Sequence, residues 1–144
     1  MAESKEPKGS VPMASSLEEF RYMQQIYQNQ YMALAQEINS RVEALRELDN
    51  AQKSIEDLDI LKERKTLIPI GADTFIAGRI TDENTVVLGI GAGYFVEKNI
   101  DHAKGYISKA IEKETQSINK LNKNKKEVES ALMEIAYKVE ELSH

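Results

Sequence analysis

The apolar residues of this chain form two long stripes with helical spacing. In the first, apolar side chains recur at steps of three and four residues from Leu17, and no glycine or proline occurs before Leu67. The second stripe keeps the same spacing and ends at Leu142. Such narrow stripes are typical of a coiled-coil seam rather than of the broad apolar face of a globular helix. We therefore predict helices over residues 17–65 and 101–142.

Polar residues before each stripe indicate where the two helices begin. Ser16 and Glu19 have the spacing of a capping box, in which a hydroxyl and a carboxylate each bind a free backbone N–H group. Asp101 is the predicted N-cap of the second helix. Residues 1–16 contain two of the three prolines and are predicted to be a flexible tail.

The region between the stripes, residues 66–100, has a different composition. It contains five of the seven glycines and is rich in β-branched and aromatic residues. Turn residues divide it into four predicted strands, and this spacing indicates two consecutive hairpins. The predicted strands are Leu67–Ile70, Thr74–Thr81, Thr85–Ile90 and Tyr94–Asn99.

The predicted fold is mainly α, a long antiparallel two-helix coiled coil joined by a small β unit of two hairpins. Because both helices leave the same β unit, we expect their far ends to meet about 60–70 Å from the strands. Four short strands bury little surface and leave open edges, so we expect other subunits to complete them. The residues expected in this oligomerisation contact are Ile68, Ile70, Phe75, Ile76, Ile80, Val87, Leu88, Ile90, Phe95 and Val96.

Composition excludes several kinds of site. The chain has no cysteine and only two histidines, so thiolate chemistry is absent and a histidine metal cluster is hard to build. The glycine-rich GIGAG segment lacks the spacing of a dinucleotide fingerprint, and no Walker-type motif occurs. We expect no enzyme activity, no cofactor and no metal.

The net charge of −5 disfavours nucleic acid as the main partner. The absence of a long apolar run argues against a membrane segment, which makes the cytoplasm the expected location.

The middle of the chain carries a family resemblance. The segments between the helices read LIPIGADTFIAGRI and VVLGIGAGYFVEKNIDHA. Together with the order helix, two hairpins and helix, they resemble the alpha-class subunit of prefoldin over roughly residues 17–142. Beta-class subunits have one hairpin here. The resemblance implies an ATP-independent chaperone without catalytic residues. It also implies that the chaperone assembles as a heterohexamer of two alpha-class and four beta-class subunits, which are joined through their hairpins. It further implies that the coiled-coil ends hold non-native protein clients and pass them to a group II chaperonin in the cytosol.

The resemblance implies client-binding regions at the helix ends, near residues 17–31 and 131–142. All five methionines lie in the segments predicted to be far from the strands, and methionine is common on surfaces that bind many partners. An alternative for the residues of the stripes, such as Phe20 and Leu132, is that they only form the seam. A structural coiled-coil subunit of a filament or scaffold is the rival function. The predicted client-binding residues are Leu17, Phe20, Tyr22, Met23, Ile26, Leu132, Met133, Ala136 and Tyr137.

Overall fold

The computed structural model describes residues 16–82 and 84–143, so the predicted tail, apart from Ser16, lies outside the described residues. It has two compact units, Met1–Ala44 with Glu114–His144, and Leu45–Lys113, which we describe separately as the first and second unit. Long helices flank two small hairpins, which confirms the predicted fold class. The elements are α1 (Leu17–Glu56), α2 (Leu58–Leu61), β1 (Thr66–Gly71), β2 (Thr74–Gly78), β3 (Thr85–Gly91), β4 (Tyr94–Asn99) and α3 (Ile100–Ser143).

Helix α1 begins at the predicted capping box. The Ser16 backbone N–H donates to Glu19 Oε1 at 3.3 Å, and the Glu19 backbone N–H donates to Ser16 Oγ at 3.1 Å. The helix ends at Glu56, earlier than the predicted boundary at residue 65. Asp57 interrupts it, with φ −92° and ψ 7°, before the short helix α2. Aspartate is a weak helix former because its side chain competes for nearby backbone groups.

Helix α3 begins one residue earlier than predicted, and its cap is a different residue. Asn99 Oδ1 accepts the His102 backbone N–H at 2.8 Å, which makes Asn99 the N-cap and the prediction of Asp101 wrong. The Ile100 N–H donates to the Asn84 carbonyl at 2.9 Å, so the first turn is bound to the segment before β3. Strand β4 therefore passes directly into the helix. Asp101 lies in the first turn, where its negative charge is favourable near the helix dipole.

The core of the first unit forms where the two stripes meet. Residues near the start of α1 pack against residues near the end of α3, so the two segments run antiparallel within this unit. This core is a single narrow layer, as expected for a coiled-coil seam. Its buried members are Phe20, Tyr27, Ala131 and Ile135, with Met23, Val128, Leu132 and Val139 packed against them.

Polar residues that interrupt the stripes pair across the helices within each unit. In the first unit, Arg41 Nη1 donates to Glu114 Oε1 at 3.0 Å. The Glu37 carboxylate lies 3.5 Å from Arg41 Nε, an ion-pair contact rather than a hydrogen bond. The hydrogen bond to Glu114, followed by the negative charge of Glu114, raises the pKa of Arg41 above its usual value. In the second unit, Gln52 Nε2 donates to Ser108 Oγ at 3.2 Å. Such polar pairs favour one register of the helices over others.

Both predicted hairpins are present, and their turns are alike. Ala72 and Asp73 have φ of 50° and 57°, and Ala92 and Gly93 have φ of 53° and 79°. Positive φ at both central residues is the geometry of a type I′ turn, whose twist matches that of the paired strands. Each hairpin also has a register shift just before the turn, in β1 and in β3. β2 ends at Gly78 rather than at Thr81.

An aspartate orders the segment between the hairpins. Asp82 Oδ1 accepts the Asn84 backbone N–H at 2.9 Å, and Asp82 Oδ2 accepts the Thr85 hydroxyl at 2.8 Å. The hydrogen bond from Asn84, followed by that from Thr85, lowers the pKa of Asp82. Because Asn84 also accepts the first N–H of α3, this small network positions the start of the second hairpin beside the start of the helix.

Candidate functional site

The first hairpin exposes apolar side chains on both faces. Ile68 lies opposite Ile76 on one face, and Pro69 lies opposite Phe75 on the other. All four are exposed in this chain. A two-stranded sheet that is apolar on both faces has no core of its own, so these faces are available to other strands.

The second hairpin repeats this arrangement with one substitution. Gly89 takes the place that Pro69 has in the first hairpin, and it lies opposite Phe95. A Cβ atom on Gly89 would lie only 3.1 Å from Phe95 Cε1, so the aromatic ring covers the glycine. Phe95 is nevertheless 69% exposed, so most of its ring is in contact with solvent in this chain.

The predicted oligomerisation residues lie on these two hairpins, except Ile80, which follows the end of β2. Sequence reasoning missed Leu67 and Tyr94, which the structure also shows exposed. The strand register could have found them, since both belong to predicted strands of the same hairpins. Their role in assembly stays a prediction. Of the predicted set, Ile68, Ile70, Phe75, Ile76, Val87, Ile90 and Phe95 are exposed, and Ile80, Leu88 and Val96 are half-buried.

The paired helix ends of the first unit carry a second apolar surface. Tyr22, Met133 and Tyr137 are 70%, 73% and 65% exposed. They lie off the stripe that forms the core, because helix positions one or two residues away from a seam residue point to other sides. We call these three side chains the helix-end surface.

The other predicted client-binding residues divide between core and surface. Phe20 is buried in the core and Leu132 packs against it, as the alternative expects of stripe residues. Met23 also packs against the core, although it lies off the strict stripe. Leu17 and Ile26 are half-buried, and Ala136 is exposed. The structure therefore separates side chains that hold the helices together from those that are available for binding, while the binding itself stays a prediction.

A groove of about 510 Å³ lies between α1 and α3 in the first unit. Tyr31 lines the groove, and its hydroxyl donates to Glu129 Oε2 at 3.3 Å. Met32, which the sequence prediction of client-binding residues did not include, is exposed here. The sequence did contain a signal for Met32, because it is one of the five methionines that all lie in the segments predicted to be far from the strands. The groove is lined by Gln28, Tyr31, Met32, Glu129, Leu132 and Met133.

Two further features bear on the chemistry. Within residues 16–82 and 84–143, no group of three or more histidine, aspartate or glutamate side chains could hold a metal ion. No helix in the described ranges combines the length and apolar character needed to cross a bilayer.

Comparison with known proteins gives a consistent answer. A family model described as "Prefoldin subunit" matches residues 27–144. The chain is 33% identical to prefoldin subunit alpha of Pyrococcus horikoshii over 128 residues, 88% of this chain and 86% of the relative. It is 34% identical to prefoldin subunit alpha of Thermococcus onnurineus over 97 residues, 66% of each chain.

A solved structure agrees with the fold. A chain of filamentous PFD from Methanocaldococcus jannaschii, determined by cryo-EM, superposes with a TM-score of 0.61 at 23% identity, covering 82% of this chain and 93% of that one. The resemblance first drawn from the hairpin segments is therefore confirmed by the family match and the alpha-class relatives. The chain belongs to the prefoldin subunit family.

Proposed function

We propose that this chain is a subunit of an ATP-independent chaperone that captures non-native proteins on the apolar side chains of its paired helix ends. The observation that carries the proposal is the helix-end surface, where Tyr22, Met133 and Tyr137 are largely exposed although the neighbouring stripe is packed. Met133 and Tyr137 lie one helical turn apart on α3, and exposed apolar side chains that lie close together commonly mark a binding surface. The family is one of non-enzymatic chaperones, which supports the same conclusion.

The attraction is physical and reversible. Burying a large apolar side chain contributes about 1.5–3 kcal/mol, at about 25 cal/mol per Å². Association costs offset much of this gain, so one pair of helix ends holds a client weakly. Several such ends on one assembly raise the effective affinity without any new kind of contact. A competing receptor can then take over the client without nucleotide hydrolysis.

Assembly through the hairpins completes the proposal. Their apolar faces and open strand edges suit strands from neighbouring subunits. We propose that beta-class subunits supply them, in a heterohexamer of two alpha-class and four beta-class chains located in the cytoplasm. Transfer of captured clients to a group II chaperonin is the proposed next step. These details rest on the family relationship.

The test removes the helix-end surface and leaves the core unchanged. Tyr22→Ser, Met133→Ser and Tyr137→Ser are combined in the full-length chain. Met23 is not changed, because it packs against the core. We expect the variant to assemble normally and to lose most of its ability to suppress aggregation of a chemically denatured protein, measured by light scattering.

A matched control removes apolar side chains that are exposed elsewhere on the helices. Val42, Ile60 and Tyr106 are exposed, and their combined replacement by serine should leave suppression unchanged. If both triple variants suppress aggregation as well as the unmodified chain does, the helix-end surface does not bind clients and the proposed function fails.

A second candidate is a structural subunit of a filament or scaffold. The open edges of both hairpins favour it, because head-to-tail contacts that do not close into a ring extend into a filament. Mass measurement and electron microscopy of the purified assembly distinguish the two. A filament that leaves denatured protein free to aggregate would support the structural role.

A further inference from the structure

One stretch of α1 is unlike the rest of the chain in its charge. Residues 22–36 comprise fifteen consecutive positions without a charged side chain, although 30% of all residues are charged. The α1 wall of the groove, formed by Gln28, Tyr31 and Met32, lies within this stretch. The electrostatic character of this part of the first unit therefore depends on α3.

Helix α3 supplies positive charge beside the groove. Residues 119–126 read NKLNKNKK, with four lysines and no acidic residue. A shallow depression here contains Lys123, Lys125 and Lys126, which we call the lysine patch, together with Glu129 and two asparagines. Three ammonium groups against one carboxylate make the depression positive, in a chain whose net charge is −5.

Two contacts join the lysine patch to the groove. Glu129 borders both the depression and the groove, and its carboxylate accepts the Tyr31 hydroxyl at 3.3 Å. Lys125 Nζ lies 5.5 Å from the centre of the Tyr31 ring, a cation–π contact. Lys123 and Lys126 are exposed. The two surfaces are therefore continuous, apolar at Met133 and positive at Lys126.

The spacing of these surfaces defines the ligand that fits them. Lys126 and Lys123 precede Met133 by seven and ten residues, which is about 10–15 Å along the helix at 1.5 Å per residue. An extended peptide covers that distance in roughly three to five residues at about 3.3 Å each.

We propose that the groove and the lysine patch together bind client segments in which an apolar anchor lies three to five residues from an acidic residue. This inference rests on the proposed function and adds a preference to it. The apolar anchor enters the groove beside Met32 and Met133, and the carboxylate lies against Lys123 and Lys126. A basic residue at the same spacing is repelled.

A single-stranded nucleic acid is the other anionic ligand to consider. Such strands bind where exposed aromatic rings stack on bases beside positive charge. In the groove the aromatic ring is that of Tyr31, which is half-buried and lies under Lys125. The geometry favours a peptide with an acidic flank.

The test compares labelled twelve-residue peptides that share a Leu-Phe-Leu anchor and differ four residues away, where they carry two glutamates, two glutamines or two lysines. Binding to the full-length chain in its purified assembly is followed by fluorescence anisotropy. We expect the glutamate peptide to bind about three- to ten-fold more tightly than the glutamine peptide, as for a pair of surface ion pairs, and to lose this advantage at high salt.

Three variants separate the possible results. Lys123→Glu with Lys126→Glu should abolish the advantage of the glutamate peptide and leave the glutamine peptide unaffected. Lys109→Glu with Lys113→Glu makes the same charge change at exposed α3 positions in the second unit, and it should preserve the advantage. Met133→Ser should weaken all three peptides.

Equal binding of the three peptides, with the Met133 effect retained, would overturn the acidic preference and leave the proposed function standing. Failure of every peptide to bind would instead count against the proposed function. Competition by a thymidine oligonucleotide that disappears in the Lys123→Glu, Lys126→Glu variant would assign the lysine patch to nucleic acid and overturn the inference.

Discussion

Replacement of Ile135 by alanine tests the division of α3 into a core side and an exposed side. Ile135 is 0% exposed and is the largest fully buried side chain among the described residues. It belongs to the core cluster with Phe20, Tyr27 and Ala131. Met133, two residues earlier on the same helix, is 73% exposed and is the matched control.

The magnitude follows from the volume removed. Isoleucine to alanine in a packed core costs about 2–5 kcal/mol, depending on how far the neighbours collapse into the space. A single layer between two helices can relax more than an enclosed core, so we expect about 2–3 kcal/mol for Ile135→Ala. At about 2–4 °C per kcal/mol, the melting temperature falls by roughly 5–10 °C. Met133→Ala should change stability by no more than about 0.5 kcal/mol, since its side chain is mostly in solvent.

Two measurements distinguish the variants. Thermal unfolding followed by circular dichroism gives the change in stability. Hydrogen exchange of α1 and α3 shows whether the opening is confined to the first unit. Below its transition Ile135→Ala should still suppress aggregation, whereas Met133→Ala should suppress it less well at every temperature. If Ile135→Ala were stable and Met133→Ala destabilised, α3 would pack against α1 with its other side. The assignments of the core and of the binding surface would then both be wrong.

Two other predictions concern the second unit. Gly105 lies inside α3 with open space around it, so Gly105→Ala should raise the free energy of unfolding by about 0.5–1 kcal/mol through helix propensity alone; an unchanged calorimetric transition would contradict this. The hydrogen bonds that Asp82 accepts lower its pKa in the folded chain. They therefore stabilise the segment fully at pH values above the unfolded pKa of about 3.9, and this stabilisation is lost as the pH falls through the lower pKa of the folded chain. The amide resonances of Asn84 and Thr85 should report this loss below about pH 4, and Asp82→Asn should remove the pH response; an identical titration in the variant would count against it.

Local chemistry made much of the fold predictable. The capping box at Ser16 and Glu19 depends on residues three positions apart, and it is present as expected. The two hairpins follow from turn residues whose backbone must adopt positive φ, above all Gly93. These features are decided within a few residues, so the sequence carries the information directly.

Features that depend on competition between neighbouring residues were harder to predict. Asn99 and Asp101 are both good N-cap residues, and Asn99 takes the role because β4 runs directly into the helix. Asp57 ends α1 although the apolar stripe continues beyond it.

Exposure at the helix ends was predictable only in part. Met133 lies off the stripe and is exposed, whereas Met23 also lies off the strict stripe and still packs against the core. The difference arises from which flank of the stripe faces the other helix, and spacing alone does not set that rotation.

Pro69 pairs with Phe75 in the first hairpin, whereas Gly89 pairs with Phe95 in the second, so the two hairpins differ in the donors they carry. Proline has no N–H group, so a strand added along the outer edge of β1 meets a ladder with one donor missing. Glycine keeps that donor at the same place in β3. If both edges accept strands from neighbouring subunits, as proposed, the edge of β3 offers one more donor than the edge of β1. We then expect competing strands to bind β3 first, so that the difference between proline and glycine at this one position sets the order of assembly.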